Sequence, residues 1–247
     1  MKEPPVLLWP DLDPRQGSVR LEGEAQHHLC RVLRLREGDA VELRDGRGLC
    51  ALGALGAVTR SSALVKLSHC ERPEPPAQPC VHLALPLLKG RRLDWALEKG
   101  TELGVAAFHL YLGRHGVVQR ETRPERYDDI LRAAFAQSRR LLLPNLDGPV
   151  NFATLLARGR AEGWRQCWAD ERRAGLGQSP FALEPGRALL AWVGPEGGFA
   201  AEERAALAAA AEFVLDLGPQ RLRAETAALA VACRLLLPAP GASGGSR

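Results

Sequence analysis

The residue types best suited to chemistry are gathered in one short stretch, Gly194-Pro195-Glu196-Gly197-Gly198. It ends an apolar run, and an alanine-rich amphipathic segment starts at once. A tight glycine turn between a strand and a helix lets backbone N–H groups approach a ligand closely. The turn lacks the GxxxxGKS or GxxxxGKT pattern of a triphosphate loop. Glu196 in its middle would repel phosphate, so a neutral or cationic ligand suits it better. The pattern GxGxxG is absent too. A dinucleotide fold would place its glycines after the first strand of the domain, where this chain has Pro86-Leu87-Leu88-Lys89-Gly90. The plainer alternative is a helix entry, with Glu202 and Glu203 favouring the helix N-terminus. A second glycine-bearing loop, 217–222, follows the strand-like segment that starts Phe213-Val214-Leu215.

These loops need elements to hold them. From residue 81 onward, strand-like and helix-like segments alternate. Strands are expected at 81–88, 105–112, 164–169, 187–193 and 213–218. Helices are expected at 91–104, 124–140, near Phe152, at 201–212 and at 225–237. Gly104 reads as a helix stop, and the region near Pro144 as a loop. Repeated βα units imply a mostly parallel sheet with flanking helices. In such sheets ligands sit beyond the carboxyl ends of the strands, where both glycine loops fall.

Earlier in the chain the pattern differs. Short apolar segments at 6–9, 19–21, 40–43, 49–58 and 63–67 are separated by turn residues, including Asp45-Gly46, a hairpin signal. One helix-like piece, from about Glu24 to Leu35, interrupts them. This predicts a small β-barrel over residues 1–72. "CERPEPPAQPC" (70–80) holds four prolines, which suits a linker, placed at 73–79. Residues 80–247 form the second expected domain.

Composition narrows the function. The chain has 247 residues, 46% of them hydrophobic, enough to bury a core. No apolar run is long enough to span a membrane, and the N-terminus lacks a signal-peptide pattern. Its six scattered cysteines form no CxxC, so reduced thiols, no metal site and a cytoplasmic location are expected. The net charge of +4 is unevenly spread: residues 78–140 hold 11 basic and 7 acidic side chains, and the segments on either side are balanced. An anionic partner is one reading of that surplus; a solvated helix face is the other.

Five segments, in order, carry a resemblance: "HHLCRVLRLREGD" (27–39), "LDWALEKGTELGV" (93–105), "AFAQSRRLLLP" (134–144), "WVGPEGGFAAEE" (192–203) and "LDLGPQRLRAETAAL" (215–229). Together they resemble the bacterial ribosomal RNA small subunit methyltransferase E family. The resemblance implies an α/β fold of the SPOUT class: a C-terminal trefoil-knotted, mostly parallel sheet with a small N-terminal PUA-like β-barrel. It implies a homodimer that uses S-adenosylmethionine to methylate N3 of one uridine in 16S ribosomal RNA. In this family the two glycine loops hold the cofactor, which assigns Gly194, Glu196, Gly197, Gly198, Leu217, Gly218 and Leu222 to cofactor binding. The chain departs from the family pattern at Gln220, where an arginine is common and either Arg221 takes its place or the contact is lost, at Ala136, where glutamate is common, and at Gly100, where alanine is frequent.

The chemistry so implied needs the N3 proton removed and charge on the uracil oxygens stabilised. Arg223 and Glu225 are the candidates; a phosphate contact and a helix-dipole role are their respective alternatives. Arg31 and Arg34, with Arg36, and Lys89, Arg92, Arg139 and Arg140, with Arg91, form basic clusters suited to RNA phosphates. A competing reading from another class is a non-catalytic RNA-binding assembly factor with a vestigial cofactor pocket.

Overall fold

The structure is a computed structural model that describes residues 3–75, 79–117, 122–170 and 187–237. The chain divides into two compact units, Met1–Pro76 with Phe135–Leu143, and Ala77–Ala134 with Pro144–Arg247.

The first unit is a five-stranded sheet. Its strands are β1 (Val6–Leu8), β2 (Ser18–Glu22), β3 (Ala40–Arg44), β4 (Cys50–Val58) and β5 (Ser62–Glu71), in the order β1-β3-β4-β5-β2. Only β1 and β3 pair in parallel. Alternating residues, Val19 and Leu21, Val41 and Leu43, Ala63 and Val65, face one core. The Asp45-Gly46 signal is realised between β3 and β4. Asp45 Oδ1 accepts from the backbone N–H of Arg47 at 2.6 Å and of Leu49 at 2.8 Å. The expected helix is shorter than its pattern. It runs as α1 (Gly23–His27), continues as a single π turn, His28–Val32, and stops before Arg34, whose φ is 57°. Leu29 is buried, while Arg31 and Arg34 are exposed.

Residues 135–143 group with this unit through specific bonds. Leu143 N–H donates to Gly46 O at 2.9 Å, and Arg47 and Leu142 form an antiparallel bridge. Arg139 pairs with Glu42 and donates to Pro4 O at 2.7 Å, and Arg44 donates to the Arg139 carbonyl. Arg139, expected on an RNA-facing cluster, therefore has its guanidinium engaged inside the first unit. Arg140 donates to Leu142 O at 3.1 Å, and burial lowers its guanidinium pKa to about 10.

The second unit is a six-stranded, all-parallel sheet: β6 (Val81–Pro86), β7 (Ala107–Leu112), β8 (Asn145–Asn151), β9 (Arg165–Ala169), β10 (Leu189–Trp192) and β11 (Phe213–Leu215), in the order β11-β9-β10-β6-β7-β8. Its helices are α2 (Arg91–Leu103), α3 (Pro124–Gln137, whose last turn belongs to the first unit), α4 (Phe152–Ala161), α5 (Ala201–Ala210) and α6 (Ala224–Leu236). Gly104 ends α2 with φ 107°, the left-handed cap that glycine supplies without strain. Strand β10 is buried along its whole length, as a strand covered on both faces must be. Helix α6 packs on α2 and β6 and buries Ala228, Val231, Ala232 and Leu236 there.

The loop expected near Pro144 is short, and strand β8, which the sequence pattern does not predict, follows it at once. Its sequence, NLDGPVN, is polar and holds Gly148-Pro149. Such a segment is tolerated because β8 lies at the sheet edge, where a proline removes no required donor.

A polar cluster lies near the amino ends of β6 to β8. Asp147 Oδ1 is 2.8 Å from His109 Nδ1; His109 Nε2 is 3.1 Å from His82 Nδ1; His82 Nε2 is 3.5 Å from Cys80 Sγ. Arg158 donates to Asp147 Oδ2 at 2.8 Å and stacks over Trp164 at 5.0 Å. Burial is the main cause lowering both histidines, His82 to about 4, so both rings are neutral near pH 7.

Candidate active site

Three adjacent strands end at one hollow. After β10 the chain turns at 194–198; Gly198 has φ 72° and its N–H donates to Pro195 O at 2.8 Å. Phe199 and Ala200 are buried, and α5 then starts with its N3 residue, Glu203, reaching back. Glu203 accepts from Ala200 N–H at 2.8 Å and from Arg114 N–H at 2.9 Å. The helix-entry role is thus real for Glu203, and it leaves Glu196 for other work. After β11, Asp216 Oδ1 accepts from Gly218 N–H at 2.8 Å and shapes the second loop, with Gly218 at φ 97°. After β9 comes Asp170, which pairs with Arg204 of α5.

The hollow is lined by Gly194, Glu196 and Gly198 of the first loop and by Leu217, Gly218 and Leu222 of the second. Phe199, Asp170, Arg204 and the first turn of α6 complete it. Six of the seven residues assigned to cofactor binding line this space. Gly197 does not: it is exposed, and a Cβ there would meet His115 Cβ at 2.8 Å. Its lack of a side chain admits the neighbouring turn rather than a ligand. Gln220 and Arg221 both line the hollow, and Arg221 donates to the carbonyl of Glu196 at 3.2 Å.

One carboxylate of the lining, Glu196, is joined through a cation to a second carboxylate, Glu225, beside the hollow. Arg92 donates to Glu196 Oε1 at 3.1 Å, and its Nε is 3.8 Å from Glu225 Oε1. Among the described residues three buried side-chain polar atoms lack a partner, and two are here: Glu196 Oε2 and Glu225 Oε2. A buried carboxylate oxygen without a donor is unfavourable by roughly 1–3 kcal/mol, so these atoms point to a ligand or solvent donor. With two negative charges and one positive, the cluster favours a cation-bearing ligand. The apolar side chains of Leu217, Leu222 and Phe199 suit a flat, weakly polar group.

Sequence reasoning placed Arg92 among the RNA contacts; the structure brings it to Glu196 and Glu225 instead. Its neighbour in that assignment, Lys89, is exposed. Arg223 is exposed at the N-cap position of α6 and is not among the residues lining the hollow, whereas Glu225 in the first turn is buried. Asp170 and Arg204 were missed. They are far apart in sequence and carry no motif, so only the parallel neighbours β9 and β10 bring them together. Arg92 lies in the first turn of the helix after β6, the strand beside β10, and so belongs to the same sheet edge as the glycine loops.

An all-parallel sheet with glycine loops and half-satisfied carboxylates at its carboxyl edge defines a small-molecule-binding α/β domain. The model of the RNA methyltransferase domain matches residues 75–236, and that of the RNA methyltransferase PUA domain matches residues 21–68. The ribosomal RNA small subunit methyltransferase E of Bacillus subtilis is 33% identical over 226 residues, covering 86% of this chain and 87% of its own. The ribosomal RNA small subunit methyltransferase E of Neisseria gonorrhoeae, solved bound to S-adenosylmethionine, superposes with a TM-score of 0.82 at 28% identity, covering 94% of this chain and 96% of that one. A probable rRNA-methyltransferase from Porphyromonas gingivalis superposes with a TM-score of 0.80 at 30% identity, covering 92% and 95%. The chain belongs to the ribosomal RNA small subunit methyltransferase E family of RNA methyltransferases.

Proposed function

We propose that this chain transfers a methyl group from S-adenosylmethionine to N3 of one uridine in 16S ribosomal RNA. The observation that carries the reading is the hollow at the ends of β9, β10 and β11, lined by Glu196, whose Oε2 is buried without a protein donor, with the likewise unpartnered Glu225 Oε2 reached through Arg92. The Neisseria relative, solved with S-adenosylmethionine, supports that choice of ligand.

When bound, the cofactor supplies a methyl group activated by a sulfonium cation. Leu217, Leu222 and Phe199 would form the apolar walls that exclude water from its adenine, Gly198 and Gly218 leave room for close approach of the backbone, and Gly194 makes room for the Phe199 ring, which a Cβ there would meet at 3.2 Å. Glu196, fixed by Arg92, offers one oxygen to a cationic or N–H donor of the ligand. Glu225 Oε2 would accept the N3 proton of the uridine as N3 takes the methyl carbon, whose bond to the sulfonium sulfur breaks with the electron pair left on sulfur. The target base must leave its stack to expose its N3 edge. Arg31, Arg34 and Lys89, all exposed, provide phosphate contacts on their own units, and Arg223 provides another at the start of α6.

We also infer a trefoil knot and a homodimer. The route of the chain supports the knot: it runs from β10 to β11 at the far edge of the sheet, then returns to lay α6 on α2 and β6. Sedimentation velocity at micromolar concentration tests the dimer.

Transfer of labelled methyl from S-adenosylmethionine to small-subunit RNA, followed by mass-spectrometric mapping, tests the reaction. A product at uridine N3 is expected. Cofactor binding with no transfer to free 16S RNA or to assembled subunits would leave the non-catalytic assembly factor as the surviving reading.

A further inference from the structure

A second hollow lies on the same edge of the parallel sheet, next to β6. Residues 88–91 and Asp94 form one wall, and Arg123, Arg126 and Tyr127 form the other. It gathers four cations, Lys89, Arg91, Arg123 and Arg126, against a single carboxylate, Asp94. That carboxylate is already taken, because Arg126 holds it with Nε at 2.9 Å and Nη2 at 2.5 Å. Among the described residues, neither Lys89 nor Arg91 has a carboxylate within ion-pair distance. Converging like charges repel one another, and one carboxylate already engaged by Arg126 does not offset four cations. A solvated surface would scatter such residues, but here two segments distant in sequence turn them into one concave space. The charge surplus of residues 78–140 is largely this hollow.

We propose that this hollow is a phosphate-binding subsite that holds the RNA backbone beside the target nucleotide. The forked guanidinium groups of Arg91 and Arg123 match phosphate oxygens. Tyr127 forms part of the floor. The first turn of α2 joins this subsite to the candidate active site. Arg91 lines the basic hollow, and the next residue, Arg92, contacts Glu196 and Glu225. A phosphate held by Arg91 therefore lies within a few ångströms of the element that orients the carboxylates. The choice of RNA as the source of the phosphate rests on the proposed methyltransferase reading; the anion site itself does not.

Arg91→Gln and Arg123→Gln test this, each on an exposed side chain, with Arg91→Lys as the conservative control. The probes are a 16S ribosomal RNA transcript, inorganic phosphate and S-adenosylmethionine, each measured by titration against wild type. Affinity for S-adenosylmethionine should stay within about twofold, which also reports an intact fold. RNA affinity should fall on the order of tenfold at low salt. The slope of log affinity against log salt should flatten by about 0.7 per lost contact, as for single-stranded nucleic acid. Arg91→Lys should restore the salt slope but only part of the affinity. Unchanged RNA affinity and slope in both glutamine variants overturns the proposal. Loss of inorganic phosphate binding with unchanged RNA affinity also overturns it, since the site then serves free phosphate. If wild type methylates no RNA yet both variants lose RNA affinity as described, the subsite stands and the methyltransferase reading fails.

Discussion

Arg92 and Glu196 lie 3.1 Å apart, N to O, and that contact ties the first turn of α2 to the loop after β10. The same guanidinium faces Glu225 at 3.8 Å. Arg92 is thus a positioning residue for two carboxylates. Two effects of its removal oppose each other. The hollow becomes more negative, which favours a cationic ligand, and Glu196 loses the partner that fixes it. Because Arg92 is 41% exposed, water screens the electrostatic gain, so loss of orientation should win. Arg92→Ala is expected to weaken S-adenosylmethionine binding by about tenfold, the equivalent of one hydrogen bond to a charged group. Calorimetry giving equal or tighter binding in a folded variant would show that Arg92 does not position the site.

Glu225→Gln keeps the shape and the helix but removes the carboxylate proposed as proton acceptor. Cofactor affinity should hold within a few-fold, and the single-turnover rate of methyl transfer should fall on the order of a hundredfold or more. A wild-type rate at saturating RNA would assign Glu225 to the helix dipole alone.

Arg223, exposed and outside the lining of the hollow, should act on RNA rather than on the cofactor. Arg223→Ala is expected to leave S-adenosylmethionine affinity within a few-fold while lowering RNA affinity and flattening its salt dependence by about one charge. If RNA affinity and salt slope hold but the single-turnover rate collapses, Arg223 instead stabilises the uridine anion.

Gly100 lies buried in α2. A Cβ there would stand 2.8 Å from Cε1 and 2.9 Å from Cζ of Phe108, a fully buried ring. Alanine improves helix propensity by about 1 kcal/mol, but overpacking a closed core is unfavourable by roughly 1–3 kcal/mol. Gly100→Ala should therefore lower the melting temperature by a few degrees. The double change with Phe108→Leu should recover part of the loss. A higher melting temperature in the single variant would mean that Phe108 moves freely.

The His82–His109 cluster makes stability depend on pH. His82 is held down to about 4 by burial, then by His109 and Arg158, whereas an unfolded histidine titrates near 6.5. Between those values the unfolded chain binds a proton that the folded chain does not. The contribution is therefore fully present above about pH 6.5 and is lost as pH falls toward 4. His109 acts in the same direction. Melting temperature should drop across this window, and His82→Gln should reduce the slope by about one proton. Parallel curves for wild type and variant between pH 5 and 6 would contradict it.

What the sequence disclosed, and what it hid, follows from the range of the forces involved. Helix stops such as Gly104, the Asp45-Gly46 hairpin and the alternation of βα units are written in neighbouring residues. Both glycine loops were legible because a sharp turn needs glycine locally. Strand β8 was not, because an edge strand can be polar and still complete a ladder supplied by β7. The return of residues 135–143 to the first unit was hidden as well, since it depends on Arg139 meeting Glu42, a pairing that periodicity does not encode. Arg92 reads in the sequence as part of an RNA-phosphate cluster, because the strand order that sets β6 beside β10 is a tertiary fact.

That strand order has a consequence for how the protein comes into being. Leu189 pairs with Val81 at the centre of the sheet, so the central ladder must wait until most of the second unit has been synthesised. The candidate active site waits longer, because Glu225 and the wall at Ala227 belong to the last helix. A nascent chain emerging residue by residue has its first unit's strands early and its catalytic hollow last. Contacts of such long sequence separation form slowly. A messenger cut short before residue 224 would yield a chain that lacks both Glu225 and the helix that closes the hollow.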